Sequence, residues 1–181
     1  MEIDVQNMKV CKLSEHGYDE ALLGLSLSFN SEMDKMPERA KNLAHKQGGH
    51  NKCLEMIMIW MDVTAPRMWW QQADTYRIST KQSESTMHTL MKKTVGQENF
   101  IRPIPVEILA LLNTYIGEGN FITAKDILPE GFLQRRIWLM SYKTFQNIYI
   151  QRKAHKLPEW SKFLDTIVEQ LDHPEFVVKS E

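Results

Sequence analysis

The sequence predicts an α+β fold in a single domain spanning residues 1–181. Two observations lead to that class. Helix and strand signals are mixed, but not in the strict strand–helix–strand alternation that builds a parallel sheet. No internal repeat, low-complexity tract or linker divides the chain, and 181 residues hold one substantial core while being short for two. The composition, 43% apolar and 25% charged, is that of an ordinary globular protein.

Each element has a local reason. Residues 8–13 alternate apolar and polar side chains, the period of a half-buried strand. Residues 14–17 read as a turn. Residues 18–29 read as a helix, with Ala21, Leu22, Leu25 and Phe29 on one face. Pro37 opens a second helix at a first-turn position, where its missing N–H is harmless, and the helix runs towards Gly48 and Gly49. The apolar run 56–63 sets Ile57, Ile59 and Val63 against Met58 and Trp60. It predicts a strand buried on both faces and ended by Pro66. Residues 67–75 read as helix, 78–85 as loop, and 85–93 as a restarted helix. Residues 99–105 are irregular. Residues 106–115 form an amphipathic helix with Ile108, Leu109, Leu111, Leu112 and Tyr115 at helical spacing, ended by Gly117, Glu118 and Gly119. A short helix over 120–128 stops at Pro129. Residues 133–140 read as strand and 142–152 as helix, with Phe145, Ile148 and Tyr149 on one face. Leu157 and Pro158 open a last helix through Phe163, Ile167 and Leu171. Pro174 ends it, and the final residues read as frayed.

Net charge is −1, which gives no broad attraction to nucleic acid or an acidic membrane, so neither is an expected partner. Cys11 and Cys53 are too few for a disulfide framework and lack metal-ligand spacing. They read as reduced thiols, in the core or half-buried, in a cytoplasmic protein. Glu2 and Asp4 interrupt the start, so no signal peptide is read there. The longest apolar runs fall short of the roughly 20 residues that span a bilayer. Eleven methionines read as flexible core or interface filler. His50 and Glu55 have the spacing of a metal pair without a third ligand nearby, so no metal is assigned.

The richest stretch in chemistry runs from Trp69 to His88. Paired tryptophans and glutamines stand beside Arg77, Lys81, His88 and a series of Ser and Thr hydroxyls, with neither Gly nor Pro. Its composition fits either the wall of a site for a polar ring or a phosphate, or a solvated helix with a hydroxyl-rich cap.

Several blocks carry a resemblance to a known family. Gly49-His50-Asn51-Lys52-Cys53-Leu54-Glu55 resembles the His-Gly-His-x-x-x-x-Glu-His region of the flavin-dependent thymidylate synthases (ThyX). Val63-Thr64-Ala65-Pro66 followed by Gln72-x-x-Thr75-Tyr76-Arg77 is similar to their Ala-Pro strand and Gln-x-x-Arg-His-Arg. Seven residues separate Arg77 from Ser85, the signature spacing of Arg-His-Arg and its serine. Ala124-Lys125-Asp126-Ile127-Leu128-Pro129 resembles Ala-Arg-x-x-Leu-Pro. The stretch from Ile137-Trp138 through Ser141, Lys143 and Asn147 to Gln151-Arg152 resembles the family's closing block. All blocks lie in family order and cover most of the chain.

The resemblance implies a central, mostly antiparallel sheet flanked by helices, and a homotetramer with its sites between subunits. It implies bound FAD, a pyrimidine nucleotide such as dUMP, and methylenetetrahydrofolate and NADPH as co-substrates in the reductive methylation of uracil C5. Carried over by position, Arg152 and Ser85 are the catalytic candidates. Gln72, Arg77, Ser83, Ser85, Lys125 and Arg152 form the nucleotide set. His50, Glu55, Gln82, Ser141, Lys143 and Asn147 form the flavin set. Each also has a plainer reading: Arg152 as a cation at a helix C-terminus, Ser85 as a helix N-cap, His50 as a helix terminator.

The departures fall on charged positions. Thr75 and Tyr76 replace the first Arg-His of the signature, Ser83 a glutamate, Met87-His88 an Arg-Tyr, and Lys125 an arginine. A charged hydrogen bond contributes about 1.5–3 kcal/mol, so two lost arginines weaken a phosphate ligand by about 3–6 kcal/mol. Lys125 keeps the charge and loses the bidentate fork. Three readings follow: a divergent enzyme of this type, a non-catalytic nucleotide binder on the same scaffold, or a protein that retains the fold alone.

Overall fold

The computed structural model describes residues 5–46 and 48–179. Four strands form one antiparallel sheet: β1 (Lys9–His16), β2 (Met58–Pro66), β3 (Ser79–Ser83) and β4 (Leu133–Ser141), in the order β1-β2-β4-β3. The helices are α1 (Tyr18–Phe29), α2 (Met36–Ala44), α3 (Arg67–Ala73), α4 (Thr86–Thr89), α5 (Val106–Gly117), α6 (Phe121–Asp126), α7 (Tyr142–Arg152) and α8 (Pro158–Gln170). This is the expected α+β class.

The chain forms two compact units. One contains the described residues up to Lys9, with Val63–Thr75 and Gln82–Ile137; the other contains Val10–Asp62, Tyr76–Lys81 and the chain from Trp138 onward. In the first, Leu112 and Ile116 of α5 pack with Leu90, Val95, Phe100, Ala124 and Leu128. The Phe100 and Phe132 rings meet edge to face at 5.6 Å. In the second, Trp138 of β4 stacks on Phe163 of α8 at 5.4 Å, and Phe145 and Trp160 meet Phe163 edge-on. Such pairs add about 0.5–1.5 kcal/mol beyond the area they bury.

Most elements form where their patterns place them. Helix α1 spans 18–29 and α7 spans 142–152, as expected. Gly17 caps α1 at φ +93°, and a β-carbon there would collide with the Met56 carbonyl oxygen. Helix α7 starts at Ser141, whose hydroxyl accepts from the Thr144 amide at 3.2 Å.

Six expectations need correction. The turn read over 14–17 does not interrupt β1, which runs on to His16. The loop expected over 78–85 contains β3. Its residues are Ser, Thr, Lys, Gln and Ser, with Thr80, Gln82 and Ser83 exposed, so an edge strand forms without the apolar alternation that marks one. Strand β2 begins at Met58 and is buried on one face only: Ile59, Met61, Val63 and Ala65 point inward, while Trp60 is 40% exposed. Helix α2 ends at Ala44, before the glycines. Cys11 is exposed on β1 rather than half-buried, whereas Cys53 is buried. The tail past Pro174 is not frayed: a 3-10 turn over Pro174–Phe176 buries Phe176 and Val177, held by the Gln146 amide donating to the Phe176 carbonyl at 2.7 Å. Ser180 and Glu181, part of that expectation, lie outside the described residues.

Candidate functional site

The second unit holds a cleft of about 520 Å³ built from three separated stretches of sequence. Arg77, Ile78, Ser79 and Thr80 come from the entry to β3, Ser141, Lys143 and Thr144 from the junction of β4 and α7, and Glu55 from the turn before β2. Strand residues Met58, Leu139 and Met140 supply an apolar floor. Four expected site residues, Glu55, Arg77, Ser141 and Lys143, therefore share one cleft. Arg77, assigned to the nucleotide by position, stands here among residues assigned to the flavin.

The cleft's hydroxyls are ordered by one another. Ser141 Oγ donates to Thr144 Oγ1 at 3.3 Å, and Thr144 Oγ1 donates to the Ile78 carbonyl at 3.1 Å. The second bond ties the start of β3 to the first turn of α7. Lys143 Nζ donates to Asn51 Oδ1. Asn51 is buried, and its amide donates to the Ala44 carbonyl at 2.9 Å and to Gln146 Oε1 at 3.3 Å. Gln146 donates in turn to the Ala44 carbonyl at 2.8 Å. The lysine is thus held by a buried amide pair that also fixes the end of α2.

His50 and Glu55 line a second cleft of about 450 Å³ in the same unit, with Lys52, Cys53 and the apolar side chains of Ala21, Leu25, Phe29 and Leu43. Glu55 borders both clefts. Burial raises the Cys53 thiol above its ordinary pKa, which disfavours the thiolate. Asn147 lines neither cleft. It is exposed on α7 and accepts from the Gln151 amide at 3.0 Å.

Arg152 closes α7 in the same unit. Its Nε donates to Tyr76 Oη at 2.8 Å. The guanidinium carbon lies 5.1 Å from the Trp160 ring centre and 5.7 Å from that of Tyr76. An always-charged planar group is therefore held against two aromatic rings that meet edge-on beside it.

The remaining expected residues lie in the first unit. Ser85 is the N-cap of the four-residue α4. Its carbonyl accepts from the amides of His88 and Thr89 at 3.0 and 3.1 Å, while its side chain makes no capping bond. Beside it, Lys125 Nζ donates to the buried Thr86 hydroxyl. Burial first, and the Arg67 charge second, hold the Lys125 pKa below its ordinary value. Arg67 itself donates to the Leu128 carbonyl at 2.9 Å and pairs with Glu130 at 3.5 Å. Arg67 and Lys125 thus stand near one another, the first paired with a carboxylate and the second with a hydroxyl. Gln72 is half-buried on α3, its carbonyl accepting the Thr75 hydroxyl at 2.7 Å. Gln82 and Ser83 end β3, both exposed.

Sequence reasoning missed Asn51, Thr144, Thr86 and the Tyr76 contact to Arg152. Thr86 had a signal, as did the cleft residues Ser79 and Thr80, as part of the hydroxyl-rich stretch 69–88. Among the described residues no group of three or more His, Cys, Asp or Glu side chains is placed to hold a metal. No helix among them is long and apolar enough to cross a membrane.

No protein-family model matches the sequence, and no curated protein matches it. Solved structures do. One is the flavin-dependent thymidylate synthase ThyX of Helicobacter pylori complexed with FAD and dUMP, at TM-score 0.80 and 17% identity over 93% of this chain and 97% of that one. A second structure of the H. pylori enzyme with FAD and dUMP gives TM-score 0.76 and 17% identity over 94% and 97%. This chain has the ThyX fold along nearly its whole length.

Proposed function

We propose that this protein is a divergent flavin-dependent thymidylate synthase, a single ThyX-like domain over residues 1–181. It binds FAD and a pyrimidine nucleotide and reductively methylates the ring, dUMP to dTMP or a closely related reaction. The observation that carries the reading is the 520 Å³ cleft, which gathers Glu55, Arg77, Ser141 and Lys143 from separate motif blocks. The matching fold of two H. pylori structures with FAD and dUMP supports it.

The residues fit such a cofactor. Met58, Leu139 and Met140 offer an apolar floor for a flat ring, while Arg77, Lys143 and the hydroxyls of Ser79, Thr80 and Ser141 offer donors for its polar edge and phosphates. When bound, FAD supplies hydride chemistry, with methylenetetrahydrofolate as the one-carbon donor and NADPH as reductant. The chain's own part is position and electrostatics. Arg152 stabilises negative charge developing on the pyrimidine, a role that suits a group charged at every working pH. Lys125, with the Ser85 and Thr86 hydroxyls, holds the nucleotide phosphate. Gln72 and Ser83 serve the nucleotide, Gln82 belongs by position to the flavin set, and His50 stands in the neighbouring cleft that shares Glu55. In this reading the protein is a cytoplasmic homotetramer with sites between subunits, and neither nucleic acid nor a membrane is a partner.

A second reading is a nucleotide binder without chemistry. The Tyr76 contact favours it, because a side chain that differs from the family's histidine engages the arginine assigned to the ring. One experiment separates the two: an absorbance spectrum of the purified protein before and after adding FAD and removing the excess, followed by thermal shift with dUMP. Retained flavin together with a dUMP-dependent shift supports the enzyme. A dUMP shift without flavin replaces it with the binder. Neither response overturns both.

A further inference from the structure

We propose that Tyr76 is the positioning residue for Arg152, the last donor-acceptor step of a hydrogen-bond chain that begins at Asn147. This rests on the reading of Arg152 as the group that faces the nucleotide ring. Three bonds run in one direction. Gln151 Nε2 donates to Asn147 Oδ1 at 3.0 Å. Tyr76 Oη donates to Gln151 Oε1 at 3.1 Å. Arg152 Nε donates to Tyr76 Oη at 2.8 Å. Each acceptor fixes the orientation of the next donor. The Gln151 amide is set by Asn147, so its oxygen takes the tyrosine proton, and the phenol oxygen presents a lone pair to the guanidinium.

The rings complete the mount. Tyr76 meets Trp160 edge-on at 6.2 Å and 76°, and Trp160 is itself fully buried against Phe163 at 6.1 Å. The guanidinium carbon lies over the Trp160 ring at 5.1 Å while its Nε is tied to the Tyr76 hydroxyl. The directional bond at Nε restricts the rotation of a planar group that a ring contact alone leaves free to turn. A histidine ring is shorter and carries no hydroxyl at this reach, so the tyrosine gives this chain its own means of aiming the arginine. Asn147, outside both clefts, acquires a role: it orients Gln151, and through it Tyr76.

The test uses the full-length protein and dUMP. Tyr76→Phe keeps the ring against Trp160 and removes only the hydroxyl. Loss of one charge-assisted bond should weaken dUMP binding about tenfold. In an Arg152→Ala background the same substitution should change binding less than about twofold, because a residue acting through Arg152 has nothing left to act on. The direct signature is the Arg152 Nε–H resonance in a ¹⁵N–¹H NMR spectrum. It should be slow to exchange in the wild type and lost or shifted in Tyr76→Phe, with the other arginine Nε–H signals unmoved. An unchanged resonance, or equal losses in both backgrounds, overturns the proposal. If the wild type binds no dUMP, the proposed function fails, and the resonance alone decides the positioning contact.

Discussion

Replacing Gln146 by methionine tests the buried amide pair beneath the cleft. Gln146 is 3% exposed, and its Nε2 donates to the Ala44 carbonyl at 2.8 Å and the Phe176 carbonyl at 2.7 Å. Methionine nearly matches its shape, so cavity terms stay small. The Ala44 carbonyl keeps the Asn51 amide at 2.9 Å, whereas the Phe176 carbonyl loses its Gln146 donor. The two short bonds at about 1 kcal/mol each, plus about 1 kcal/mol for a desolvated carbonyl, give a loss of about 3 kcal/mol, to which the longer bond that Gln146 Oε1 accepts from Asn51 at 3.3 Å adds less. With a urea slope of about 2 kcal/mol per molar, the denaturation midpoint should fall by about 1.5 M at unchanged slope. Gln146→Glu should be worse at neutral pH, because a carboxylate would face two carbonyl oxygens. Its folded pKa would be raised, so stability should recover as pH falls through that value. A midpoint shift below about 0.3 M for Gln146→Met would refute the reasoning that this amide staples α2 and the C-terminal turn together.

Three further substitutions probe separate contacts. Tyr142→Phe removes the phenol that donates to Glu15 at 2.5 Å, and should destabilise the fold by about 2 kcal/mol in urea titrations. Burial first and Glu15 second push the Tyr142 phenol far above its ordinary pKa, so its contribution is complete below about pH 10 and lost above it; wild type should therefore lose stability more steeply than Tyr142→Phe in alkali, and parallel curves would contradict this. Lys125→Ala should weaken dUMP binding by calorimetry about tenfold, while Lys125→Arg should tighten it and hold affinity to higher pH, since the lysine's lowered pKa removes its charge earlier; equal affinities across the three proteins would remove Lys125 from the phosphate site. Burial, then Arg152, then Lys156 hold the His155 pKa below its ordinary value, so Arg152→Ala should raise it in an NMR titration, and an unmoved curve would place the guanidinium elsewhere.

The helices were legible because their cause is local. Apolar side chains at helical spacing, bounded by Gly17 and Asn30 for α1 and by Ser141 for α7, place both elements over the expected residues. Strand β3 was not legible, because an edge strand with three exposed residues has no apolar face to display. The ordering of the tail depends on Gln146, some 30 residues upstream, and a local reading of 174–179 contains no trace of it. The site divides in the same way. Glu55, Arg77, Ser141 and Lys143 come from separate blocks of sequence singled out in order along the chain, and the structure sets all four around one cleft. Asn51, Thr86 and Tyr76 were missed because each acts on a partner 39 or more residues away. Such pairs are products of folding, and residue type alone does not announce them.

Gly17 shows how far the cleft's constraints reach. The Met56 carbonyl occupies the space where a side chain at Gly17 would begin, and Met56 directly follows Glu55, the residue that borders both clefts. Anything larger at position 17 would push on that turn before it disturbed α1. A substitution at this glycine would therefore be felt at the wall shared by the two clefts, although Gly17 lines neither of them.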